Sequence, residues 1–255
     1  APALAGLAAL RVGAERATIF APSPASERIQ SFSPNLVVRS FGEERFRPRD
    51  VRPLREALYE SAPKAVLIGM GAGRHPETLQ ALRLLIEALA GTLPLVVDAD
   101  GLDAIPLELV RHGGYDLVAT PNAGEFARVF GGDPEAPEEA RLAQVRQIAS
   151  ARGLTILAKG AQDVISDGRS VAVNSNHTLS MTVSGVGDVL AGAVGALLAE
   201  GVPGIGAGRL ASWLVGEAGG RASEARGFGI VATDVIEALP AALVEGLRRL
   251  RPAEV

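Results

Sequence analysis

The chain has 255 residues, 47% hydrophobic and 21% charged, with 25 basic against 29 acidic side chains and a formal net charge of −4. That is the composition of an ordinary globular protein with enough chain for a large core, and without a basic tract it argues against a nucleic-acid partner. The absence of cysteine excludes disulfides, thiolate metal sites and a cysteine nucleophile.

In chain order, "APALAGLAALRVGAERATIFAP" reads as a helix followed by a strand. An α/β sheet ordinarily opens with a strand, so a first strand is expected to be missing here, or the fold tolerates its loss. Arg11 and Glu15 interrupt the apolar start and no basic flank precedes it, which argues against a signal peptide. "KAVLIGMGAG" (64–73) reads as a buried strand ending in a glycine turn, and "ETLQALRLLIEALAG" (77–91) as a helix with a glycine stop. "LPLVVDADG" (93–101) and "YDLVATPNAGE" (115–125) are two further strands. "GGDPEAPEEA" (131–140) is a surface loop leading into a helix at about 137–152. "LTILAKGAQDVISDG" (154–168) is a fourth strand, with a hairpin partner in "SVAVNS" (170–175).

Continuous apolar strands suggest a sheet covered on both faces. Their alternation with helices predicts βαβ units and a mainly parallel sheet, with the hairpin as an antiparallel edge. No linker or repeat divides the chain, so one domain is expected over residues 1–255. No apolar run reaches the roughly 20 residues that span a bilayer. The expectation is a cytoplasmic protein with no membrane partner. The three histidines, His75, His112 and His177, are too scattered for a zinc motif. The alanine- and glycine-rich stretch 205–220 suits the core better than a subunit interface, but a homo-oligomer is expected.

Unusual residues collect at strand ends, where open α/β sheets bind their ligands. "GMGAG" (69–73), with Gly71 and Gly73, is either a tight turn or a place where a ligand approaches the backbone. It is no dinucleotide fingerprint, because the third glycine would fall on Arg74. In "VVDADGLDAI" (96–105), Asp98 and Asp100 should point to opposite sides if the strand persists, and Asp100 also suits a helix cap. In "TPNAGE" (120–125), Asn122 and Glu125 fit a capping box if a helix starts at Asn122. "LAKGAQD" (157–163) carries Lys159, one of two lysines, as a phosphate ligand or a solvated loop residue.

"SGVGDVLAGAVGALLAEG" (184–201) places Gly185, Val186 and Gly187 before a helix of small apolar residues. Free N–H groups at a helix N-terminus bind anions. Asp188 there either complements the helix dipole or, beside a phosphate, serves as a general base. The nucleotide P-loop is absent, since Leu190 stands where its second glycine belongs.

Taken in this order, the motifs resemble those of the ribokinase-like superfamily, and more closely the ADP/ATP-dependent NAD(P)H-hydrate dehydratase family. The family patterns are similar to "DADAL", "TPHPGE", "KG" and "GTGDVLAG", and the opening "ALAGLAALRVGA" is similar to its first helix. The resemblance implies a three-layer α/β/α sandwich. It also implies dehydration of the S form of hydrated NADH or NADPH with ADP or ATP as co-substrate. The nucleotide phosphorylates the substrate hydroxyl, and phosphate then leaves.

The resemblance further implies site roles. Asp188 would activate the hydroxyl, with Gly185, Val186 and Gly187 as the anion hole and Gly187 also against the nucleotide. Lys159, Gly160, Ala161, Gln162 and Asp163 would line the adenosine side. Ala1, Gly71, Gly73, Asn122 and Asp188 would contact the hydrated cofactor. Glu125 would orient Mg2+ through water.

Two departures stand out. Asn122 replaces the family's histidine, so it can hydrogen-bond but not carry a proton. It also restores the N-x-x-E spelling of kinases. Ala1 would be the remnant of a substrate-binding turn that follows the missing strand. A small-molecule kinase and a non-catalytic nucleotide-binding relative are therefore the alternatives.

Overall fold

The computed structural model describes residues 1–106 and 116–250. His112 and Tyr115 lie outside the described residues.

The elements in chain order are α1 (Pro2–Val12), β1 (Thr18–Ala21), α2 (Ser23–Gln30), β2 (Val37–Ser40), α3 (Val51–Glu60), β3 (Val66–Ile68) and α4 (Pro76–Leu89). Then come β4 (Leu95–Val97), a 3-10 turn (Ala99–Ala104), β5 (Leu117–Ala119), α5 (Ala123–Phe130) and α6 (Glu138–Arg152). The meander β6 (Thr155–Ala158), β7 (Asp163–Ser166) and β8 (Val171–Asn174) precedes α7 (Val186–Ala199), α8 (Gly204–Arg226) and α9 (Ala232–Leu250).

The main sheet has six strands in the order β3-β4-β5-β6-β7-β8. Its first four strands are parallel, and β6-β7 and β7-β8 are antiparallel. A separate parallel pair, β1-β2, lies apart from it.

Alternation along the short strands explains the three layers. Val96, Val118, Leu157 and Ile165 face one core, shared with α1, α7, α8 and α9. Leu95, Val97, Leu117, Ala119, Ile156 and Ala158 face the other, shared with α3, α4 and α6. Every strand residue from β4 to β7 is buried because both faces are covered.

Several expectations need correction. Residues 154–168 are two strands, not one. Arg141 on α6 donates to the carbonyls of Ala158 (3.2 Å) and Gln162 (2.9 Å), and the Gly160 N–H donates to Asp163 Oδ1 (3.0 Å), so the chain turns between β6 and β7. Strand β4 ends at Val97, and Ala99 adopts φ 51°, so Asp98 and Asp100 are not related by strand alternation. The elements α2, β2 and α3 were not foreseen. Strand β2 is largely exposed and shows no apolar pattern of its own.

The glycines of α7 admit different neighbours. A Cβ at Gly192 would stand 2.2 Å from the Ala5 carbonyl oxygen, so that glycine admits α1. Gly195 looks toward the sheet, at Val96.

Candidate active site

The carboxyl ends of β3 to β6 and the first turn of α7 converge on one cleft. Its floor is an interlock between two turns. Gly69 has φ 116°, and a Cβ there would stand 2.2 Å from the Asp98 carbonyl oxygen and 2.5 Å from the Gly101 nitrogen. Only glycine fits both the backbone angle and the space.

Asp98 follows β4 directly and is 3% exposed. One of its oxygens, Oδ1, accepts both Lys159 Nζ at 2.9 Å and the Thr120 hydroxyl at 2.7 Å. Lys159 Nζ in turn lies 3.3 Å from the position a Cβ would take at Gly187. The lysine ammonium thus stands at the first turn of α7.

That turn is built around Gly185, the N-cap, at φ 95°. A Cβ there would stand 2.6 Å from Leu4 Cδ1, so α1 presses against the turn. Among the described residues no side chain caps α7. Its first N–H groups, the positive end of the helix dipole and the Lys159 ammonium together make a cationic mouth suited to phosphate. Asp188 lies on the same turn. Burial raises its pKa above the usual carboxylate value; the facing Asp98 adds to this, while Lys159 opposes it. A carboxylate with raised basicity beside an anion site is equipped to take a proton from a hydroxyl.

The Lys159–Asp163 loop is stitched from below. Asp163 is 3% exposed and turned inward. Its Oδ2 accepts from Ser212 Oγ at 2.7 Å and lies 2.9 Å from His177 Nε2. With Gly160 on its other oxygen, this carboxylate holds the turn and does not face the cleft. Ala161 and Gln162 instead line, with Pro134, Glu138 and Arg141, a pocket of about 320 Å³ beside α6.

The opposite wall carries the remaining candidates. Gly71 sits beside the N-terminus: a Cβ there would lie 3.7 Å from Ala1 Cβ. The Gly73 N–H donates to Asp100 Oδ2 at 2.9 Å, so Asp100 pins the glycine turn and does not cap a helix side chain-first. Asp103 binds Arg128 through two hydrogen bonds of 3.0 Å and Arg74 through one of 3.1 Å, and the Arg128 hydrogen bond holds its pKa below the usual carboxylate value.

Asn122 and Glu125 form the capping box of α5. The Glu125 N–H donates to Asn122 Oδ1 (2.9 Å), and the Asn122 N–H donates to Glu125 Oε2 (2.8 Å). Sequence reasoning left three contributors without a role: Asp98, Thr120 and Arg141. Asp98 was marked by its place at a strand end, and Thr120 by the "TP" step beside it. Arg141 carries no local signal, because its partners lie 17 and 21 positions away.

A mainly parallel sheet with an antiparallel edge, a cleft at its carboxyl ends and a glycine-led helix at that cleft make up a ribokinase-like fold, shared at a TM-score of 0.76 and 19% identity with a ribokinase-like superfamily protein from Enterococcus faecalis. A family profile described as NAD(P)H-hydrate dehydratase matches residues 1–241, and the chain belongs to that family.

The bifunctional NAD(P)H-hydrate repair enzyme Nnr of Pyrobaculum aerophilum is 41% identical over 240 residues, covering 94% of this chain and 47% of that enzyme. The ADP-dependent (S)-NAD(P)H-hydrate dehydratase of Cenarchaeum symbiosum is 32% identical over 243 residues, covering 95% of this chain and 83% of that one. The chain spans about half the length of the first curated relatives it matches.

Among solved structures, the ADP/ATP-dependent NAD(P)H-hydrate dehydratase from Bacillus subtilis, co-crystallised with ATP/Mg2+, matches with a TM-score of 0.80 at 21% identity, covering 96% of this chain and 84% of that one. A hydroxyethylthiazole kinase from Pyrococcus horikoshii matches with a TM-score of 0.63 at 20% identity, covering 97% and 96%. At these identities the structures share the fold.

Proposed function

We propose that the chain dehydrates the S form of hydrated NADH or NADPH, using ADP or ATP, and so returns the reduced cofactor. The observation that carries this reading is the uncapped first turn of α7, with Asp188 on it and Lys159 beside it. Asp188 takes the proton of the substrate hydroxyl. The hydroxyl oxygen then forms a bond to the terminal phosphorus of the nucleotide, and the bond from that phosphorus to the leaving nucleotide oxygen breaks. The N–H groups of the Gly185–Asp188 turn and the Lys159 ammonium balance charge on the phosphoryl group in transit. The carbon–oxygen bond of the phosphorylated substrate then breaks with phosphate as leaving group, and a ring proton is lost. Phosphorylation makes a poor leaving group a good one.

In the same reading Gly71, Gly73, Ala1 and Asn122 border the hydrated cofactor. Lys159, Gly160, Ala161 and Gln162 border the nucleotide, and Asp163 shapes their turn. Among the described residues no group of three or more His, Asp or Glu is placed to hold a metal. Mg2+ fits without one, because it takes one or two carboxylates and completes its shell with water and substrate phosphates. Glu125 would hold it through water, its capping box engaging only Oε2 among the described residues. Bound there, Mg2+ would neutralise phosphate charge.

One domain over 1–255 is supported by the common core that α1 and α9 share. A cytoplasmic homo-oligomer completes the reading. No helix among the described residues is long and apolar enough to cross a membrane, and Leu210, Val244 and Leu247 are exposed apolar residues on α8 and α9.

The test is return of reduced-nicotinamide absorbance when the protein meets hydrated NADH with ADP or ATP. Recovery with either nucleotide is expected, and its absence with both counts against the reading. The N-x-x-E spelling at Asn122–Glu125 favours a small-molecule kinase as the second reading. A stable phosphorylated product without elimination would select it.

A further inference from the structure

Asp98 remains unexplained by that reading. A carboxylate this buried requires partners, and it has two on a single oxygen. Lys159 Nζ lies at 2.9 Å and Thr120 Oγ1 at 2.7 Å, with side-chain exposures of 4% for Asp98 and 17% for Lys159. The backbone fixes the acceptor. The Asp98 N–H donates to the Ile68 carbonyl and the Thr120 N–H to the Val97 carbonyl, so the two residues continue adjacent strands in register.

Lysine is a flexible stem with a strongly hydrated head, which left alone would turn to solvent. The bond to Asp98 holds that head at the second residue of α7, Gly187.

We propose that Asp98 is a positioning residue: with Thr120 it clamps the Lys159 ammonium at the first turn of α7, so that lysine meets the phosphoryl group in transit. What passes through the site rests on the dehydratase reading; the placement of the ammonium does not.

The experiment uses the full chain with Asp98→Asn, Lys159→Met and the double variant. With only Lys64 and Lys159 present, nitrogen-15 labelling of lysine assigns both ammonium resonances. The native protein should show a slowly exchanging Lys159 ammonium, and Asp98→Asn should lose it. In the kinetic arm, Asp98→Asn should lower kcat by about 100-fold while KM for ADP moves by less than about threefold.

Because Asp98 acts through Lys159, the double variant should be no slower than Lys159→Met. Multiplying losses in the double variant or no protected ammonium in the native protein overturns the proposal. If Asp98→Asn alone does not fold, the double variant buries no lone charge and is compared with Lys159→Met. Equal kcat then supports the proposal, and a lower kcat in the double variant overturns it. Should the native chain give no turnover of hydrated NADH, the dehydratase reading falls and the ammonium spectra still decide the clamp.

Discussion

Burial raises the pKa of Asp188, and the consequence for stability has a definite sign. A carboxyl whose folded pKa lies above its unfolded value binds its proton more tightly in the folded state. Its contribution to stability is therefore present below the unfolded pKa and is lost as pH rises through the folded pKa. At neutral pH Asp188 is a cost that the fold carries for its chemistry. Asp188→Asn should raise Tm at pH 7 and leave nucleotide binding intact, while turnover falls by about 100-fold or more. A lower Tm with retained turnover would exclude Asp188 as the base.

Gly69 makes the opposite case at the same scale. Gly69→Ala forces a side chain into backbone at 2.2 Å, in a backbone region that L residues avoid. A loss of about 3 kcal/mol or more is expected in denaturant unfolding. A loss under about 1 kcal/mol would mean that the two turns separate easily.

At the scale of elements, α5 and α7 begin in contrasting ways. Helix α5 is closed by the reciprocal bonds of Asn122 and Glu125, whereas α7 has no side-chain cap. Asn122→Ala should lower stability by about 1 kcal/mol, measured by urea unfolding. If Asn122 also touches the hydrated cofactor, KM rises together with that loss; an unchanged KM confines Asn122 to capping.

The capping box was legible in "TPNAGE" because its two residues are three apart and the motif is local. The partner of Gly192 was not. The Ala5 carbonyl against it lies 187 positions earlier in the chain, and no periodicity within α7 points there. Gly192→Val should separate α1 from α7 and raise KM for the hydrated cofactor, because the N-terminal end of α1 borders the cleft at Gly71.

Across the whole molecule, the first and last helices share one core with α7. Ala8 and Val12 of α1 and Val235, Ile236 and Leu239 of α9 belong to the same buried cluster as Val189 and Val194. One cooperative unit is the expected result, so α1 amides should resist hydrogen exchange as strongly as those of α7. Rapid exchange confined to α1 would make that helix an independent flap.

The sequence by itself determined the alternation of strands and helices, the double covering of the sheet and the order of glycines and carboxylates along its edge. Those features depend on residue periods and turn chemistry, which are set by near neighbours. Tertiary structure decided what each marked residue does. It divided residues 154–168 into two strands, because Arg141 pulls on carbonyls across the turn. It turned Asp163 inward to Ser212 and His177. It set Asp98 against Lys159 across 61 positions. Such pairings follow from the order of strands in the sheet and from the cost of burying a charge alone, and neither is visible until the chain is folded.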